Sequence, residues 1–313
     1  IKGKSISQIL TAVVQLPLGL LEAIKIIRQF KPDLVFGVGG YVTGPVILAA
    51  RMLGVTSCIH EQNTVPGLAN KILGRIANRV FVSLPGSEKY FPAHKTILTG
   101  NPVRSNLLAR AKEPKEKKTT AQATILILGG SQGARALNTL VLEAARQCIV
   151  NLQPLPQIIH QTGELDEDQV RTVYAELGLS ARVEAFISDM ATIYSQADLI
   201  VSRAGATTLA EIMVFGKPAI LVPFPYAADN HQEKNGSILV AGGGGLMYRQ
   251  SELTGDKLGK EICRLIRDRE LLSKMAENSS QLAKPEATAS IVNACVDLLK
   301  NKMASGARHH LAI

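Results

Sequence analysis

The sequence predicts an α/β protein built from two doubly wound parallel-sheet units. Short apolar, β-branched runs (DLVFGV, ATILILGG, DLIVS, PAILVPF) alternate with helix-length amphipathic segments, the pattern of parallel strands joined by crossover helices. The runs are continuously apolar rather than alternating, so the strands are covered on both faces. A length of 313 residues suits two such units at roughly 150 residues each.

Taken in order, the first half reads as helix (about 5–29), strand (33–38), helix (43–53), strand (55–60), helix (66–78), strand (79–83) and a short return through TILTG. It opens on a helix and holds few strands. The expectation is a first unit that is N-terminally incomplete, short of at least one βαβ unit of roughly 30 residues. RAKEPKEKKTT, Arg110 to Thr120, is charged, poor in apolar residues and carries Pro114, which suits a linker. Six strands follow, over 124–128, 158–161, 182–186, 199–202, 219–222 and 245–248, and a last helix spans about 286–302. The resulting division is a first unit over 1–109, a linker over 110–122, a second unit over 123–284 and a helix over 285–303 returning to the first.

Composition narrows the function classes. Four cysteines, Cys58, Cys148, Cys263 and Cys295, show no CxxC spacing and no nearby histidine pair, so no zinc site or disulfide framework is expected and a reducing cytoplasm fits. The net charge of +9 favours acidic partners, yet Lys and Arg are dispersed and Trp is absent, which argues against a base-stacking nucleic-acid groove. No signal peptide is visible. The most apolar segment, Ile9 to Ile27, is interrupted by Gln15, Pro17, Gly19, Glu22 and Lys25 and falls short of a membrane span. Leu10, Val13, Val14, Leu18 and Leu21, bracketed by Lys2, Lys4, Lys25, Arg28 and Lys31, instead suit a segment lying on an anionic membrane. A buried crossover helix explains the same pattern.

The chemistry-bearing stretches sit at the carboxyl ends of expected strands, where open α/β sheets bind ligands. ATILILGGSQGARALN, Ala123 to Asn138, and DLIVSRAGATTLAE, Asp198 to Glu211, each run from strand through small residues into helix. Such turns offer backbone N–H groups and a helix dipole to an anion, and two of them suggest a nucleotide diphosphate. GGSQGA is not GxGxxG and no acidic residue stands about 20 positions on, which disfavours a nicotinamide dehydrogenase. GVGGYVTGP (Gly37 to Pro45) is a close-approach loop or simply a tight turn. HEQN (His60 to Asn63) puts four polar residues at a strand end, unlike core. Arg104 of TGNPVR could clamp a diphosphate. PFPYAADNHQEKN groups Asp229, Asn230, His231, Gln232 and Asn235, donor–acceptor side chains suited to sugar hydroxyls, although Asp229 also reads as an N-cap. Asp166-Glu167-Asp168 looks like a metal-binding DxD but opens a helix, where acids complement the dipole. No metal site and no cofactor are expected.

Together GVGGYVTGP, HEQNTVPGLANK, GNPVR, GGSQGARALN, FISDM, SRAGATTLAE and DNHQEKN, in this order over nearly the whole chain, closely resemble the MurG family. Its members add N-acetylglucosamine to lipid-linked muramyl-pentapeptide in peptidoglycan synthesis. The resemblance implies a GT-B fold, two Rossmann-like domains facing a cleft, and an inverting transfer from UDP-N-acetylglucosamine to the muramyl 4-hydroxyl that turns lipid I into lipid II. For the donor it implies Ser131 and Gln132 at the phosphates or sugar, Phe186 and the backbone of Ile187 at the uracil, and Glu211 at the ribose. Ala206, Thr207 and Thr208 fall at the diphosphate, Arg104 at the nucleotide, Gln232 and Asn235 at the sugar, and Asn63 reaches the donor from across the cleft. For the acceptor, undecaprenyl-pyrophosphoryl muramyl-pentapeptide, it implies Gly39, Gly40, Tyr41, His60, Glu61 and Gln62. It also implies a peripheral place on the cytoplasmic face of the bacterial membrane beside other cell-wall synthesis proteins.

The family's histidine loop GGTGGH, a candidate base, is not in this sequence, and Glu61 is the weak substitute. The expectation is a chain that binds UDP-sugar weakly and turns over poorly. Alternatives on the same fold are galactolipid synthases and UDP-N-acetylglucosamine 2-epimerases; a non-catalytic nucleotide-sugar binder is the alternative from another class.

Overall fold

The computed structural model of the chain describes residues 6–40, 42–114, 122–130 and 133–310, with side chains within 16–304 of these. The chain divides into two compact units, Ile1–Asn101 with Glu286–Ile313, and Pro102–Pro285.

In the first unit, α1 (Ile6–Phe30), β1 (Leu34–Gly37), α2 (Thr43–Met52), β2 (Thr56–Glu61), α3 (Leu68–Ile76), β3 (Arg79–Val82) and β4 (Thr96–Leu98) follow one another. The strands form a parallel sheet in the order β1-β2-β3-β4. Side chains alternate across a strand, so β2 and β3 send Ile59, Val80 and Val82 to one face with Ile47, Leu73 and Phe91. Cys58 and Phe81 face the other way, against Ile291 and, beside it, Cys295 and Leu298 of the last helix. α1 meets α2 with Ala23 and Ile27 against Ala49 and Ala50, which leaves Leu16, Leu18 and Leu21 outward.

The second unit begins with α4 (Ser105–Lys112), a helix where the sequence suggested partly linker. It grouped with the first unit in the expected division and lies in the second here; residues 115–121 of the expected linker lie outside the described residues. Six strands follow: β5 (Thr124–Leu128), β6 (Gln157–Gln161), β7 (Ala181–Glu184), β8 (Leu199–Ser202), β9 (Ala219–Leu221) and β10 (Gly245–Met247). They alternate with α5 (Arg135–Gln147), α6 (Glu167–Glu176), α7 (Met190–Gln196), α8 (Ala206–Val214) and α9 (His231–Ala241), and α10 (Gly255–Arg267) and α11 (Arg269–Gln281) close the unit. The parallel order is β10-β9-β8-β5-β6-β7. The chain builds outward from β5 to β7, then returns to lay β8 on the other side of β5. The order therefore reverses between β5 and β8, the switch point at which doubly wound sheets take ligands.

α10 is the most sharply amphipathic helix, with Leu258, Ile262 and Leu265 fully buried. A Cβ on Gly255 would stand 2.1 Å from Glu143 Cβ and one on Gly259 2.7 Å from Cys148 Cβ, so glycine is what lets α10 lie against α5. Side-chain caps start α7 (Asp189), α10 (Thr254) and α11 (Asp268), each accepting a first-turn N–H. The last helix, α12 (Ala287–His310), belongs with the first unit. All four cysteines are free, and Cys295 and Cys58 face each other at 4.0 Å.

Candidate functional site

In the second unit the site grows from four strand ends. β5 is followed by Gly129 and Gly130, the latter at φ +97°. At Gly133 φ is +75°, and a Cβ would lie 2.3 Å from the Thr162 carbonyl oxygen, so this turn requires glycine twice over. Ser131 and Gln132 lie outside the described residues. Behind the turn, Asn138 of α5 donates to Thr162 O and to Asp166 Oδ2 at 2.9 Å. Asp166 also pairs with Arg135 at 3.0 Å, so the apparent DxD is a helix start tied to α5.

Arg203-Ala204-Gly205 follow β8, and α8 starts at Ala206 with no side-chain cap from Gly205. Its N-cap is Gly205, which has no side chain to cover the first turn, and the positive dipole end of α8 lies at this strand exit. Ala206 is buried, Thr208 half-buried and Thr207 exposed. One turn on, the buried Glu211 carboxylate accepts the Tyr194 hydroxyl at 2.9 Å through Oε2 and lies 3.6 Å from Arg104 through Oε1. Tyr194 stacks on Phe215 with centroids 5.1 Å apart. Burial pushes the Glu211 carboxyl up from its ordinary value, opposed by the Tyr194 hydroxyl and by Arg104.

Arg203 is itself buried. It donates to the carbonyls of Val222 and Pro223 at 2.9 and 3.2 Å and to Gln250 at 2.8 Å, fixing the exit of β9. There the Phe224 N–H donates to Gln232 Oε1 at 2.9 Å, which leaves the Gln232 NH2 for a ligand. Asp229 and Asn230 take left-handed φ of 51° and 53°. Asn230 occupies the N-cap of α9, with no side-chain bond, so Asp229 is a turn residue and not the cap. Asn235 is fully buried, its NH2 3.5 Å from Ala204 O. Beyond β7, Phe186 is 61% exposed while Ile187 is buried.

In the first unit, Gly39 and Gly40 leave β1 at φ +97° and +84°; Tyr41 lies outside the described residues. The expectation that HEQN stands apart from the core fails for its first two residues. β2 is buried along its whole length, and His60 and Glu61 are each 2% exposed. His60 Nε2 faces Ser83 Oγ at 3.0 Å and Gly100 O at 3.2 Å, and burial lowers its pKa, with Gly100 opposing. Glu61 accepts the Asn63 N–H at 2.9 Å and Asn63 Nδ2 at 3.3 Å on one oxygen, and Asn70 Nδ2 at 2.7 Å on the other. Glu61 is therefore a clamp on its own loop, which weakens it as a base. Gln62 donates to Val38 O at 2.9 Å, joining the exits of β2 and β1. Among the described residues no group of three or more His, Cys, Asp or Glu side chains could hold a metal.

Sequence reasoning missed the side chains that hold these loops, Tyr194, Arg203 and Gln161, and His160, which ties β6 to α5 and α6. The signal that marked HEQN, polar residues at the end of an apolar strand, is present in HQTG, His160 to Gly163.

Two parallel α/β units whose loops converge on strand carboxyl ends, one unit with an uncapped helix start at its switch point, define the GT-B class. Residues 1–82 match the glycosyltransferase family 28 N-terminal domain and residues 124–291 its C-terminal domain. The chain is 47% identical over 303 residues to the UDP-N-acetylglucosamine--N-acetylmuramyl-(pentapeptide) pyrophosphoryl-undecaprenol N-acetylglucosamine transferase of Desulfotalea psychrophila, covering 96% of this chain and 80% of that one. To the enzyme of the same name in Syntrophus aciditrophicus it is 42% identical, covering 96% and 82%. The crystal structure of Acinetobacter baumannii MurG superimposes with a TM-score of 0.76 at 36% identity, over 92% of this chain and 80% of that one. A UDP-GlcNAc 2-epimerase from Neisseria meningitidis superimposes with a TM-score of 0.65 at 16% identity, over 95% and 83%, and shares the fold alone. The chain belongs to glycosyltransferase family 28 and, within it, to the MurG family.

Proposed function

We propose that this chain transfers N-acetylglucosamine from UDP-N-acetylglucosamine to the 4-hydroxyl of lipid-linked N-acetylmuramyl-pentapeptide, with inversion, in peptidoglycan synthesis. The observation that carries the donor half is the buried Glu211 carboxylate, held by Tyr194 and Arg104 one turn inside the uncapped start of α8. A carboxylate with spare lone pairs accepts the two ribose hydroxyls, while the helix start with Ala206, Thr207 and Thr208 meets the diphosphate. Phe186 and the backbone of Ile187 take the uracil. The Gln232 NH2 and Asn235 take the sugar, with Ser131 and Gln132 assigned to the phosphates or sugar, and Asn63 to the donor, by resemblance.

When the sugar's anomeric bond breaks, negative charge grows on the departing UDP. Backbone N–H groups and Arg104 stabilise that charge where it develops, the role such donors play in transfer reactions generally. Acceptor recognition falls to Gly39, Gly40, Tyr41 and Gln62, with His60 and Glu61 bracing the loop from beneath. Calorimetric titration of the chain is expected to show binding of UDP-N-acetylglucosamine in preference to UDP-glucose and NADH. Labelled sugar is expected to appear in a lipid product only when the lipid-linked acceptor is present. Epimerised or hydrolysed donor without acceptor, and no lipid product with it, would overturn the transferase reading.

The same reading places the chain peripherally on the cytoplasmic face of the bacterial membrane, beside other cell-wall synthesis proteins. Among the described residues no helix is long and apolar enough to cross a membrane. Leu16, Leu18 and Leu21 are 55 to 65% exposed on α1, next to Lys25 and Arg28; Lys2 and Lys4 and the side chains of Leu10, Val13 and Val14 lie outside the described residues. The unit also carries a hollow of about 580 Å³ lined by Arg51, Arg75, Arg79, His94 and Lys95 with no carboxylate, and burial with the neighbouring Arg51 lowers the Lys95 pKa. Apolar insertion and a basic rim suit anionic headgroups. The chain is expected to sediment with vesicles containing anionic lipid and not with neutral ones, less so in high salt, and Leu18→Glu with Leu21→Glu to abolish this. Unchanged sedimentation of the double variant would remove α1 from the contact.

A further inference from the structure

We infer that Gln161, the last residue of β6, is a positioning residue that sets the spacing between the diphosphate turn and the base loop. β6 lies between β5 and β7 in the sheet, so its carboxyl end stands midway between the turn after β5 and the loop after β7. The Gln161 side chain reaches both. Its NH2 donates to the carbonyl of Gly130 at 3.0 Å, and its Oε1 accepts the backbone N–H of Ile187 at 3.1 Å. The residue is only 5% exposed, so neither bond competes freely with water.

The two partners belong to loops that the sequence separates by more than 50 positions. Gly130 takes φ +97°, and its carbonyl accepts two donors, the Gly133 N–H within the turn at 3.0 Å and the Gln161 amide from β6, so the amide fastens an already formed turn to the strand. Ile187 follows the exposed Phe186, and its N–H is engaged by Gln161, so the carbonyl is the backbone group the loop keeps for a base. A uracil N3–H is a donor and suits that carbonyl. One amide therefore holds two loops at the separation a nucleotide requires, and binding does not have to order them. This deepens the UDP-sugar reading and rests on it.

Calorimetry on the full chain tests the inference with UDP and, separately, inorganic pyrophosphate as probes. Gln161→Leu, close in volume but without either bond, is expected to weaken UDP about tenfold while moving pyrophosphate little, because pyrophosphate does not span the two loops. Gln161→Glu supplies a second, internally controlled arm. At pH 8 its carboxylate still accepts from Ile187 but opposes the Gly130 carbonyl, and UDP binding is weakened. At pH 5.5 the buried carboxyl, its pKa raised by burial beside a carbonyl, carries a proton that donates to Gly130, and the ratio of variant to wild-type affinity recovers. A purely structural loss would not reverse with pH. If wild-type chain binds no UDP, the donor reading falls and the clamp with it. If wild type binds UDP and Gln161→Glu binds it equally well at pH 8, or if both variants lose UDP and pyrophosphate alike at every pH, the clamp falls alone.

Discussion

Acidification from pH 7 to 5 is expected to cost the second unit about 2 kcal/mol through His160 alone, rising to roughly 4 kcal/mol near pH 3. His160 is fully buried on β6. Its Nε2 faces Asn138 Oδ1 at 3.1 Å and its Nδ1 the Tyr174 hydroxyl at 2.9 Å. The Asn138 amide nitrogen is committed to Thr162 O and Asp166, so its oxygen is the acceptor and Nε2 must carry the proton. Nδ1 is then an acceptor for Tyr174, and a second proton on the ring would place a charge away from water and force the Tyr174 hydroxyl to turn from donor to acceptor. Burial accordingly lowers the His160 pKa to about 3, with Asp166 pulling weakly the other way.

The unfolded chain takes up this proton near the ordinary histidine value, well before the folded one does. Stability is therefore complete above about pH 6.5 and drains away as the pH falls towards 3. Replacement by a group that does not titrate isolates the effect from the carboxylates. His160→Gln is expected to be less stable than wild type at pH 7 and to lose less on acidification. Urea unfolding between pH 7 and 4, with hydrogen exchange of β6 and α5 amides to locate the change, reads both curves. Parallel curves would mean that His160 contributes nothing to the pH dependence.

That network was invisible in the sequence for a physical reason. The β-branched runs that became β5, β8 and β9 were legible because a parallel strand covered on both faces is apolar at every position, and the glycine turns because a left-handed φ selects glycine. The polar pair at the end of β6 marks His160 and Gln161 as positions, but nothing local tells what they hold, because their partners lie 14 to 31 positions away along the chain. His60 and Glu61 misled for the opposite reason: polar residues in tandem look like surface, yet Ser83, Gly100, Asn63 and Asn70 satisfy them inside the unit. α4 was hidden because its charged residues, Arg110 and Lys112, also open the linker-like run. Arg104 and Glu211 were each found through motifs, but that they meet, and that Tyr194 completes the set, required the fold.

Glu211→Gln is expected to weaken UDP by about 10 to 100-fold, the loss that follows when ionised hydrogen-bond acceptors become neutral. The substitution keeps the shape of the side chain and an acceptor for Tyr194, so the packing against Phe215 stands. It removes the charge that Arg104 faces and halves the oxygens that a ribose diol can address. UDP and 2′,3′-dideoxy-UDP separate the two consequences. Wild type is expected to prefer UDP by about 10 to 100-fold, whereas the variant binds both nucleotides with equal weakness, since both carry the same base and diphosphate. Tyr194→Phe leaves the carboxylate charged but unheld on one oxygen, and is expected to fall between the two. The pH dependence has a definite sign. Because burial raises the Glu211 pKa, wild-type affinity for UDP drops as the pH falls through that raised value and protonates the acceptor, while the Gln variant stays flat. A variant that still prefers UDP over its dideoxy analogue by the wild-type margin would take the ribose away from Glu211 and leave the carboxylate as a brace for Arg104.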